Sequence, residues 1–185
     1  MVAAVVVVLI TYAANSDLLN LKCKKARLDG KEYCVRDTSN LQESVDLLAI
    51  VTNNMREMVD YMHKKHGKDA RVKLLVSNFN PDKVVETLPT SGHTAYSENK
   101  GAKLAFCLRK ENIGEDLIDE NTLTFVALHE LSHLMTESVG HPTEFWENFK
   151  FMLKNAVDNG VYTPVDYRKH PVEYCGMTIN DNPLF

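Results

Sequence analysis

"LTFVALHELSHLMTESVGHPTEFW", residues 123–146, contains three of the chain's seven histidines. His129 and His133 stand four apart around Glu130, and His141 follows eight residues later. Residues i and i+4 share one face of an α-helix, so both imidazoles can aim at one point. Zinc accepts such nitrogens at about 2.0–2.1 Å. Glu130 projects about 100° round the helix from His129, near the ion but poorly placed to ligate it together with both rings. That position suits a general base acting on a zinc-activated water, the logic of the H-E-x-x-H motif. Chance produces this pattern only about 0.02 times in a chain of this length and composition.

A catalytic zinc takes three protein ligands and keeps one position open. His141 is the expected third ligand. Gly140 lets the chain reverse after the helix, and Pro142 suits the first turn of the next one. Three carboxylates compete with it. Glu137 continues the His129–His133 face if the helix stays regular, and Glu144 or Glu147 would bind if the next helix turns that face inward. Their expected place is beside the ligands or in water.

Around this segment the pattern predicts three helices and several strands. Asn40, with Glu43 three residues on, reads as a capping box. Leu41, Val45, Leu48, Val51, Met55, Met58 and Met62 then form one apolar stripe, read as core. Gly67 is expected to end that helix in the left-handed conformation. The histidine helix should run over 121–138 with Asn121 as its cap, and a third helix should run from Pro142 to Gly160 with Phe145, Trp146, Phe149, Leu153 and Ala156 on its inner face. Arg71–Phe79 and Ala102–Lys110 read as strands, and a shorter one is expected near His93–Ser97. In the second, Leu104, Phe106 and Leu108 face one way and Ala105, Cys107 and Arg109 the other, so that one face is well buried. The fold class is therefore α+β, a small mixed sheet with an active-site helix and two further packed helices.

The length of 185 residues fits one domain with a real core. A net charge of -4 does not favour a general nucleic-acid surface. There is no GxGxxG and no P-loop to hold a nucleotide. The four cysteines form no C-x-x-C pair. Cys23 and Cys34 could bridge in an oxidising compartment, but buried or idle thiols are the expected state in a chain this large. Residues 1–14 hold an uncharged Val-rich run, shorter than the about 20 residues of a membrane span. A short membrane anchor, a signal remnant and a buried strand all fit it; membrane association through this run is one expected location, and an intracellular one is the alternative. Residues 15–38 read as a linker or a hairpin turning at Gly30, and 39–185 as the domain proper.

"HELSH…GHPTEFW" resembles the WLM and SprT-like zinc metallopeptidases, a branch of the zincin fold. That pattern is H-E-L-x-H, a short turn, a third His and then Phe-Trp. His129, Glu130, Leu131, His133, His141, Phe145 and Trp146 match it in order. The spacing departs from it, since seven residues separate His133 from His141 where five are usual. The tail "DYRKHPVEYCGMTINDNP" resembles small metallopeptidases of large DNA viruses. The resemblance implies a zincin-like domain over 39–185, with zinc on His129, His133 and His141. It implies Glu130 as general base and later general acid, and protein substrates, often crosslinked to DNA. Nucleic acid enters as a partner only through this likeness. The resemblance also implies an edge strand from the His93–Leu108 stretch beside the active helix, to which substrate adds.

Tyr167, Tyr174 and His170 lie close enough in sequence to the third helix to lean over the site as oxyanion stabilisers. Cys175 could also reach the metal. A membrane-tethered binding or structural protein that keeps the scaffold without turnover is the alternative, and the intact Glu130 argues against it.

Overall fold

A computed structural model describes residues 21–185. The expected anchor or signal remnant at 1–14 lies outside the described residues, among which no helix is long and apolar enough to cross a membrane. Among the described residues the architecture is α+β, with four α-helices and small sheets.

The chain enters as a hairpin. Strand β1 (Leu21–Lys25) pairs antiparallel with β2 (Glu32–Arg36), and Cys23 lies opposite Cys34 and is disulfide-bonded to it. Gly30 takes a φ of 68° at the turn, the left-handed region that glycine enters without a Cβ clash. Helix α1 (Leu41–His66) follows, and its stripe is core as expected: Val45, Leu48, Val51, Met58 and Met62 are wholly buried.

Both ends of α1 depart from expectation. Asn40 makes no side-chain cap, because its Oδ1 accepts from Arg109 Nη1 at 2.7 Å. Gly67 has a φ of -61°, right-handed rather than left-handed. The chain does not reverse there but runs on into a second helix, with Asp69 N–H donating to His66 O at 2.8 Å.

That second helix, α2 (Ala70–Asn78), occupies the segment expected as the strand Arg71–Phe79. Asp69 caps it by accepting from Arg71 N–H at 2.9 Å, and Val72 and Leu75, three apart, are the residues it buries. The apparent alternation of Val72, Leu74 and Val76 lost to that cap and to one-sided packing.

The central sheet has three strands in the order β3 (Val84–Glu86), β5 (Lys103–Phe106), β4 (Ala95–Glu98). Strand β3 is parallel to β5 and β4 antiparallel to it, so among the described residues β4 is an edge. One buried face was expected for the segment around β5, yet Leu104 through Arg109 are all buried. Arg109 and Arg36 are held there by Glu86, whose Oε1 lies 3.2 Å from Arg109 Nε and 3.4 Å from Arg36 Nε. Arg109 also donates to Thr38 Oγ1 and Ser44 Oγ, at 2.9 and 3.0 Å, and Arg36 to Thr87 O at 2.6 Å. Buried guanidinium groups persist only with such full pairing.

Helix α3 (Glu120–Leu134) crosses the middle of the molecule against α1, α2, α4 and β4. Its cap is Asp119, which accepts from Thr122 N–H at 2.9 Å, rather than Asn121. Asn121 instead exchanges hydrogen bonds with the Thr163 main chain, both at 2.9 Å. The helix ends at Leu134, short of the expected 138, where Asn78 Nδ2 donates to the terminal Leu134 carbonyl at 3.0 Å. Helix α4 (Thr143–Asp158) packs beside it. The tail closes with the hairpin β6 (Val172–Tyr174) and β7 (Met177–Ile179), and the Cys107–Cys175 disulfide ties it to the end of β5. All four cysteines are thus paired, which corrects the expectation of idle thiols and removes Cys175 as a metal ligand.

Candidate metal centre

Helix α3 is buried nearly all round, and its one open sector carries His129 and His133. A loop from Met135 to Pro142 brings His141 back to them, with Gly140 at a φ of 81° making the reversal. Glu144, in the first turn of α4, fixes that loop by accepting from Ser138 Oγ and from Glu137 N–H.

The three Nε2 atoms form a triangle. His129 to His133 is 3.2 Å, His133 to His141 is 3.2 Å, and His141 to His129 is 3.0 Å. The ring centroids stand 4.8–4.9 Å apart, so each ring points its Nε2 edge inward. Two nitrogens about 2.0–2.1 Å from one tetrahedral ion stand about 3.3–3.4 Å apart, so the trio fits a zinc-sized cation. Among the described residues these are the side chains that gather as a metal-ligating group. Glu137, Glu144 and Glu147 stay outside it, exposed, with Glu144 occupied by the loop.

Burial pushes the His129 imidazole down to about 3 and His133 down to about 4, with the neighbouring imidazoles adding to it. Neutral rings with free lone pairs are the form that binds a metal. Glu130 is 5% exposed, lines the same cleft, and is pushed up to about 7 by burial.

Phe145 underlies all three histidines. Its ring stacks on His133 and meets His129 and His141 edge-on. The expectation placed Trp146 with Phe145 on the inner face of α4, but Trp146 stands 45% exposed on the cleft rim.

Of the three tail residues expected near the site, one arrives. Tyr174 lines the cleft, fully buried, with its hydroxyl donating to Thr94 O at 3.2 Å. Burial, and then the Glu130 charge, push its phenol far up, so it remains a proton donor. Tyr167 instead packs on Phe125 at 4.9 Å inside the core, and His170 is exposed on a turn away from the cleft. The aromatic body of Tyr167 was worth more as packing than its hydroxyl was at the site.

Strand β4 borders the cleft. Cys107 N–H donates to Thr94 O at 2.8 Å. In the alternation of an antiparallel ladder, the main-chain groups of Ala95 and Ser97 then point away from β5, toward the free edge.

Sequence comparison finds viral relatives. The chain is 28% identical over 183 residues to uncharacterized protein R325 of Acanthamoeba polyphaga mimivirus, covering 97% of this chain and 92% of that protein. It is 22% identical over 166 residues to uncharacterized protein 136R of Invertebrate iridescent virus 6, covering 88% and 93%. Protein 042R of Invertebrate iridescent virus 3 is 33% identical over 100 residues, 54% of this chain and 57% of its own. No family model matches the chain, and no solved structure matches it.

Proposed function

We propose that this chain is a zinc-dependent peptidase of zincin-like, WLM- or SprT-like architecture. The observation that carries the reading is the triangle of three inward-pointing Nε2 atoms, with Glu130 on the same helix and facing the same cleft. His129, His133 and His141 would hold the ion. Zinc, when bound, supplies a Lewis acid that polarises a carbonyl and makes water a stronger nucleophile near neutral pH.

The remaining work falls to the chain. An extended polypeptide pairs with the outward-facing main-chain groups of Ala95 and Ser97. Glu130 takes a proton from the attacking water as the C–O bond forms. It returns that proton to the amide nitrogen as the C–N bond breaks, and the water's second proton follows to the amine, giving a carboxylate and an ammonium group. Tyr174, held protonated, would turn its one O–H from Thr94 O to the developing oxyanion. The protein class of substrate rests on the resemblance and on the free edge of β4.

The test is zinc content and casein cleavage of the parent and of Glu130→Gln. The variant should keep its zinc and lose at least about 10²-fold in turnover. Zinc bound by a parent that cleaves no protein or peptide would instead support a non-catalytic zinc-binding protein.

A further inference from the structure

We propose that the C-terminal hairpin sets the side-chain preference of this site: Met177 and Ile179, with Phe125 and Val126 of α3, select a large apolar residue next to the bond that is cut. The inference rests on the peptidase reading above and names its substrate class.

All four side chains line the cleft of about 880 Å³ that holds the histidines and Glu130. The hairpin is fixed as a wall of that cleft. Cys175 is bonded to Cys107, its N–H donates to Arg109 O at 2.9 Å, and Gly176 N–H donates to Lys110 O at 3.0 Å. Tyr174 and Met177 both reach Thr94, beside the free edge of β4, at 3.2 and 3.4 Å. A segment added to that edge would therefore lay its side chains between α3 and β7. Met177 is 47% exposed, apolar surface left uncovered where such a side chain would rest.

Charge points the same way. Lys100 on the lining donates to Glu137 O at 2.8 Å, and Asp181 is paired with Arg168 at 2.7 Å. Lys100 is exposed at the rim and Asp181 is already paired, so a charged guest seated against Met177, Ile179, Phe125 and Val126 would be desolvated with no counter-ion among them. A large apolar guest covers Met177 and loses nothing polar.

The chain's one tryptophan, Trp146, lies on the cleft rim, so its emission reports occupancy without metal or turnover. The experiment titrates Glu130→Gln with tryptophan-free Gly/Ser/Ala heptapeptides that carry one guest Leu, Met, Asp or Lys. Leu and Met guests should bind at least about 10-fold more tightly than Asp or Lys. Adding Met177→Lys, at an exposed position, should bring Leu and Asp within about threefold of each other. Equal binding of all guests, no binding of any, or unchanged discrimination with Met177→Lys overturns the proposal. The peptidase reading fails separately: selective binding of the Leu peptide, with no cleavage of it by the zinc-loaded parent, keeps the wall and removes the reaction. Cleavage that ignores the guest residue keeps the reaction and removes the wall.

Discussion

Phe145 stacks on His133, with ring centroids 4.3 Å apart and planes 26° from parallel. The same ring meets His129 at 4.8 Å and His141 at 4.6 Å, and Phe145 itself is wholly buried. One aromatic ring from α4 thus sets the orientation of imidazoles from α3 and from the loop between the two helices. Ligands held in place lose less rotational freedom when an ion arrives.

Phe145→Leu should therefore keep the fold and weaken zinc by at least about 10-fold, the scale on which groups that orient ligands act. Competition with a chromophoric chelator measures this. An affinity equal to the parent's would show that the stack is packing alone.

Glu144 should stabilise the loop that carries His141. Its carboxylate ties Ser138 and the Glu137 amide to α4, and the Ser138 hydroxyl holds it below the ordinary value of 4.5. A depressed carboxyl stabilises the folded state above its unfolded value, and that contribution fades as pH falls through the folded one. Glu144 is exposed, so the effect on melting is small. Glu144→Gln should melt below the parent at pH 7, with the gap closing as the pH falls below the ordinary carboxylate value, both measured without metal. A gap that widens in acid would contradict the sign.

The buried Arg36–Glu86–Arg109 cluster should be the stability feature most sensitive to a single truncation. Glu86→Ala leaves two guanidinium groups beneath the surface without their shared carboxylate, at a cost of about 3–5 kcal/mol. Urea unfolding at neutral pH measures it. A loss under about 1 kcal/mol would mean that the neutral partners Thr38, Ser44 and Thr87 suffice.

Both disulfides should be present in protein purified without reductant. Denatured, unreduced chain should show no reactive thiol, and four after reduction. Replacing Cys107 and Cys175 together by serine should cost about 2–5 kcal/mol, the usual scale for a native bridge. Free thiols in the unreduced protein would refute the pairing.

What could be read beforehand was what depends on near neighbours. The i, i+4 pair His129–His133, the reversal at Gly140 and the apolar stripe of α1 are local geometry, and each was legible. Distant partners hid the rest. Asn40 looked like a cap because its competitor, Arg109, lies 69 positions away. The strand expected at Arg71–Phe79 is helical because Asp69 caps it and only Val72 and Leu75 find core to cover. Cys175 meets Cys107 across 68 residues, a pairing that spacing cannot specify. That same bridge decides which tail residue reaches the cleft: Tyr174, next to the bonded cysteine, lines it, whereas Tyr167 and His170 do not.

The most direct test of the central claim is zinc X-ray absorption on the metal-loaded parent and on His141→Ala. Three imidazole nitrogens at about 2.0–2.1 Å in the parent, with one lost in the variant, is the expected result. A zinc shell with fewer imidazoles, or one that His141→Ala leaves unchanged, would contradict a site built on His129, His133 and His141.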